Sequence, residues 1–131
     1  MFFNKTKKLK KKASKVLSIW CPAVCGSLSD DLDDPKKRKL TIVYLIGSSD
    51  YVCQSAQLGD DDFSEITRDV LLECGFSKQE IWELFGSFAR QNLEKEEFEY
   101  LMKGADHYKK WMVEGNQFAP MLLSMELIGD E

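Results

Sequence analysis

Few residues in this chain could serve as nucleophile, base or metal ligand. There is one histidine, His107, and there are four cysteines, Cys21, Cys25, Cys53 and Cys74. A thiol–imidazole pair needs the base placed beside the nucleophile, and a structural zinc site needs closely spaced Cys and His. Here Cys21 and Cys25 form a lone CxxxC, and no pair has CxxC spacing. His107 follows Asp106 in a polar stretch that reads as a helix surface. Cys53 and Cys74 sit inside apolar helical patterns and read as small core hydrophobes. Ser48 and Ser49 lack the glycine spacing of a nucleophile elbow.

The acidic runs 30–34 and 60–62 invite a calcium reading, which needs a glycine at loop position six and a glutamate at position twelve. Counting from Asp60, those positions hold Glu65 and Leu71; counting from Asp31, position five is Pro35. The acids read instead as helix-start charges and a solvated linker. No catalytic, cofactor-binding or metal-ligating set is expected, so the chain reads as non-enzymatic. Asp50 is a candidate buried polar or ligand residue, because a carboxylate near the middle of a central helix needs a partner or water. Arg68, Arg90 or a lysine could supply that partner. The preferred reading puts Asp50 on the exposed side of a helix that is only partly buried.

Charge is distributed unevenly. Residues 1 to 20 carry seven of the 18 basic groups (Lys5, Lys7, Lys8, Lys10, Lys11, Lys12 and Lys15) and no acid, leaving 11 basic groups against 22 acidic ones in the remainder. A cationic arm thus precedes an anionic body, which bears on partners and solubility rather than on fold. The lysines, with Phe2, Phe3 and Trp20, are the candidate contacts to an anionic membrane or other polyanion. Nucleic acid is the weaker of these readings, since the arm lacks arginine and would grip phosphates without base specificity. Cys21 and Cys25 are candidate lipid acceptors. Lysines followed by an apolar run resemble an export signal, but the run is short, Pro22 interrupts it and the small-residue cleavage pattern is poor. The sparse cysteines suit a reducing compartment, so a cytoplasmic location is expected, with a membrane-peripheral one as the alternative.

These residues must be positioned by helices. Phe2, Thr6, Leu9, Ala13, Val16 and Trp20 step by three and four, which predicts an amphipathic helix over 1–22, ended by Cys21-Pro22. An acidic Gly-Ser linker follows over 23–34, then a helical domain over 35–131. Asp34-Pro35 is a good helix start. The run LTIVYLI could be a strand, but the cap, the length and two apolar faces favour a central helix ended by a left-handed Gly59. Ser77 and Glu80 form a capping box flanked by Phe76 and Ile81. Further stripes are Phe63, Ile66, Val70 and Cys74; Ile81, Leu84, Phe85 and Phe88; Phe98, Leu101, Met102, Ala105, Tyr108 and Met112; and Met121, Leu122 and Met125. The expected fold is all-α, a compact bundle or orthogonal array of about six helices. The expected function is binding of a protein partner, itself basic, by an inhibitor, immunity, adaptor or regulatory module. The alternative is a peripheral membrane protein anchored by its basic helix. Burial of Leu9, Val16 and Trp20 would make that helix structural; their exposure would make it a binding element.

Overall fold

The structure, a computed structural model, describes residues 2 to 129, with side chains for residues 5 to 127. Six α-helices appear among them: α1 (Phe2–Leu28), α2 (Pro35–Ser55), α3 (Asp60–Glu73), α4 (Lys78–Ala89), α5 (Lys95–Met112) and α6 (Leu122–Gly129). Two 3₁₀ turns, Ser29–Asp33 and Ala119–Met121, connect them, and no strand occurs among the described residues. The all-α fold with six helices is as expected.

α2 is the axis. Asp34 caps it by accepting from the Lys37 N–H at 2.9 Å, with Pro35 in the first turn. Every residue from Leu40 to Ser49 is buried. A helix buried all round must satisfy its polar side chains internally, and this one does. Thr41 donates to the Lys37 carbonyl at 2.7 Å, and the Ser49 hydroxyl contacts that of Thr67 on α3.

α5 crosses α2 with backbone against backbone. A Cβ at Gly47 would lie 2.0 Å from the Leu101 carbonyl oxygen, and one at Gly104 would lie 1.8 Å from that of Tyr44. Glycine is therefore obligatory at both positions. This crossing sets the inward face of α5 as Glu97, Tyr100, Gly104, His107 and Tyr108. The expected stripe is rotated, and Phe98 and Met102 point outward. His107 is buried, not superficial as expected, because it sits one turn beyond Gly104 on the face drawn against α2. Its Nδ1 lies 2.8 Å from the Tyr44 hydroxyl.

α1 does not stop at Cys21-Pro22; it runs on to Leu28, and the 3₁₀ turn follows directly. The expected linker over 23–34 is thus mostly helical. An internal proline costs a helix about 3 kcal/mol. Burial of Trp20, Val24 and Leu28 offsets this, at about 2 kcal/mol for each large apolar side chain, and all three are essentially inaccessible. The Pro22 ring faces solvent. Gly59 does not cap α2 either. Gln57 takes the left-handed conformation (φ 59°), while Gly59 is extended and stands at the start of α3. In the last turns Ala119, Leu123 and Leu127 face inward, leaving Met121 and Met125 exposed, a rotation from the expected stripe.

Candidate interaction surfaces

α3 and α4 form a hairpin whose outer side is open. Gly75, at φ 96°, turns the chain between them. Ser77 and Glu80 make the expected capping box, and Phe76 and Ile81 are both buried. Arg38 on α2 holds this corner: it grips the Glu80 carboxylate with two nitrogens, donates to the Gly75 carbonyl at 3.2 Å and stacks over the Phe76 ring at 4.8 Å. The guanidinium, with the Ser77 N–H and hydroxyl, depresses Glu80 to about 2. Phe63 joins the helices through ring contacts to Phe85 at 5.6 Å and Phe88 at 5.9 Å.

On the outside of the hairpin lies a groove of about 850 Å³. Ile81, Trp82, Phe85 and Ala89 supply its apolar surface, with Asp61, Glu65, Arg68 and Lys78 at the edges. Trp82 is 80% exposed, and Gly86, one turn on, has no side chain to cover the indole. Arg68 is drawn to Asp69 at 3.2 Å. The first turn of α3 carries Asp60, Asp61 and Asp62, of which Asp60 and Asp61 are exposed.

α1 divides into two halves. Toward its C-terminus, Trp20 is sealed in the core at 0% exposure, donating to the Ser48 hydroxyl at 3.0 Å. Ser48 in turn donates to the Gly104 carbonyl at 2.7 Å. Trp111, Tyr108 and Tyr51 complete an aromatic cluster, with Trp20–Trp111 centroids 5.3 Å apart. Trp20 is therefore not a membrane or polyanion contact. Its stripe is Ala13, Leu17, Trp20, Cys21, Val24 and Leu28, and Leu9 and Val16 are half-buried at its edge. Lys10 also turns inward, reaching Glu65 at 2.7 Å and Asp62 at 3.4 Å on α3. Lys5, Lys7, Lys8, Lys11, Lys12 and Lys15 are exposed. The side chains of Phe2 and Phe3 lie outside the described residues.

Asp50 is half-buried and accepts from the Gln54 amide at 2.9 Å, one turn along α2. It lines neither groove of the hairpin or of α1. The fold unites thiols that the sequence separates by 49 residues: Cys25 on α1 meets Cys74 at the end of α3, with Cys21 one turn below. The proximity of the two thiols, with burial, raises Cys25, and the same proximity lowers Cys74. No spacing rule could have joined them, since their meeting depends on how α1 packs against α3. All four cysteines are free. Among the described residues no three His, Cys, Asp or Glu side chains are placed to hold a metal ion, and no helix is long and apolar enough to cross a membrane.

The sequence places Trp82, Phe85, Phe88, Phe98, Tyr100, Tyr108 and Trp111 at helical spacing, a set that fits a core for the most part but could leave an exposed aromatic patch, rimmed by acids, for a protein partner. Of these, Tyr100 and Tyr108 are buried, Phe85, Phe88 and Trp111 are half-buried, and Trp82 and Phe98 are exposed. The signal for Trp82 was its position directly after Ile81, which places it off the inward face of α4. Comparison with protein-family models, curated proteins and solved structures finds no match to this chain.

Proposed function

We propose that the protein is a non-enzymatic protein-binding module, of the inhibitor, immunity, adaptor or regulatory kind, whose α3–α4 groove receives an amphipathic helix from a basic partner. The observation that carries this reading is Trp82, 80% exposed above an apolar groove. Large exposed aromatics beside a pocket are the side chains that dominate binding energies, and contiguous exposed apolar surface of this kind marks interaction sites. The groove takes in α3 from Asp61 to Arg68 and α4 from Lys78 to Ala89, about two to three turns of each, a length that suits helix-in-groove recognition with apolar anchors at i, i+3 and i+4. The acids of α3 favour basic residues flanking those anchors, and their field would speed the encounter. The four free cysteines suit a reducing compartment such as the cytoplasm.

The test is selection of displayed helical peptides on the full chain. Winners should be basic and amphipathic, and Trp82→Ser should weaken them by about thirtyfold, the scale of a binding hot spot. Acidic winners, or winners indifferent to Trp82, would overturn the reading.

A further inference from the structure

The outer face of α1 takes no part in the α3–α4 groove, and two independent observations bear on it. The first is charge. Lys5, Lys8, Lys12 and Lys15 recur at helical spacing on the side away from Ala13, Leu17 and Val24, with Lys11 beside them. None of these forms an ion pair among the described residues, and the chain contains no acid before Asp30. Lysines serving only the protein's own acidic body would be paired with it, as Lys10 is.

The second observation is apolar. Beyond Lys15 the same face carries no charge: Ile19, Pro22, Ala23 and Gly26 are all exposed, Ile19 at 54%. Beside it runs a second groove, of about 390 Å³, where Leu9, Lys12 and Val16 of α1 meet Met112 and Val113 at the end of α5. Val113 is 64% exposed. The lysines thus adjoin uncovered aliphatic side chains, on a helix that its other face holds rigid.

We propose that this face docks on an anionic lipid bilayer, with the lysines at the level of the phosphates and Ile19, Met112 and Val113 entering the acyl boundary. Amphipathic surface helices bind lipid by this division, cationic groups toward the headgroups and apolar ones below them. Nucleic acid or the acidic body of a second copy would satisfy the lysines but leave Ile19 and Val113 in water. Because Trp20 and its neighbours already fix α1, docking incurs little ordering cost.

The experiment is co-sedimentation of the full chain with phosphatidylcholine vesicles, with and without roughly one-third phosphatidylserine, at about 0.1 M salt. Binding is expected only with phosphatidylserine. Each lysine near such a surface multiplies partitioning by about fivefold. Changing Lys5, Lys8, Lys12 and Lys15 together to Gln should therefore weaken binding about a hundredfold or more. Ile19→Ser with Val113→Ser should weaken it about tenfold, from lost apolar burial. All six positions are exposed, so thermal unfolding should show both variants folded. Should either fail to fold, the two vesicle types with the unmodified protein still decide the matter. Equal sedimentation with both vesicles, or with neither, overturns the proposal. So do full binding by the double serine variant, and binding to duplex DNA that matches the vesicles and ignores the serine changes. Dimerisation without lipid that the Gln changes abolish would assign the face to a second copy instead.

Discussion

The α2–α5 crossing and the α3–α4 hairpin are both helix pairs, yet they are built in opposite ways. At the crossing the contact residues are Gly47 and Gly104, and the gap between helices is closed to the backbone. Ser48 fills what little space is left and satisfies both the Trp20 indole and the Gly104 carbonyl. The hairpin buries Phe63, Phe76, Ile81 and Leu84 but leaves the large Trp82 side chain exposed over a groove. Packing of the first kind fixes a single arrangement and offers nothing to a ligand. Packing of the second kind leaves apolar surface in water, a cost that binding can recover. The contrast separates what holds this protein together from what it presents.

Two tryptophans test the contrast directly, and the larger effect belongs to the core. Trp20→Ala should destabilise by about 3 to 5 kcal/mol, the usual cost of deleting a buried large aromatic, read as a lowered denaturant midpoint. It also removes the hydrogen bond that the Ser48 hydroxyl accepts, leaving the one it donates to the Gly104 carbonyl. A loss below about 1 kcal/mol would mean that α1 is not docked as described. Gly104→Ala should cost about 3 kcal/mol, at the upper end for overpacking because the added carbon meets backbone and not a movable side chain. Gly26→Ala, on the exposed side of α1 with nothing within 4 Å of the new atom, should stabilise by about 0.5 to 1 kcal/mol through helix propensity. If Gly104→Ala were tolerated as well as Gly26→Ala, the close crossing would be wrong.

The glycine crossing also explains what could and could not be read from sequence. Helix number, the Asp34 cap and the Ser77–Glu80 box were legible because they depend on local chemistry alone. Which face each helix turns inward was less so. Hydropathy favours large apolar residues, so it pointed α5 inward at Phe98 and Met102. The real face carries Glu97, Gly104 and His107, since closest approach needs the smallest residue, not the greasiest. The same bias turned Met121 and Met125 inward on paper. Pro22 misled for a related reason: its local cost is real, but burial of residues on either side of it outweighs that cost. The candidate surfaces were half legible. The lysines of α1 stood out by composition, but neither groove could be seen before the helices were placed.

The crossing and the hairpin should also part company with pH. Burial lowers the His107 pKa, with Lys110 and Lys103 adding to the fall and Asp106 and Glu126 opposing it. The buried Tyr44 phenol keeps its proton, so its hydroxyl is assigned as donor to the neutral imidazole. A base whose folded pKa lies below its unfolded value binds more protons when unfolded. Stability from this site is therefore complete above about pH 6.5 and declines as pH falls below it. Glu80 acts lower. Its folded value near 2 lies below the unfolded one, so the Arg38–Glu80 contribution is present above about pH 4.5 and is lost as pH falls toward 2. The pair is about one-third exposed, so solvent screening limits its worth to about 1 kcal/mol. His107→Gln should flatten the first decline and Glu80→Gln the second in urea titrations across pH. If His107→Gln left the profile above pH 5 unchanged, the buried imidazole would not be the titrating group.

The smallest expected effect on stability is at Trp82, and it is the sharpest test of the contrast. The indole makes no ring contact with the core aromatics that join α3 to α4, which run through Phe63, Phe85 and Phe88. Tryptophan and serine have similar helix propensities. Trp82→Ser should therefore change unfolding free energy by less than about 0.5 kcal/mol, as at surface sites that support no packing. Trp20 and Trp82 would then differ by about tenfold in their worth to the fold despite being the same residue. A loss at Trp82 comparable to that at Trp20 would show the groove to be closed in solution, with the indole folded onto Ile81 and Phe85. The hairpin would then belong with the crossing as core, and the partner would have to bind elsewhere.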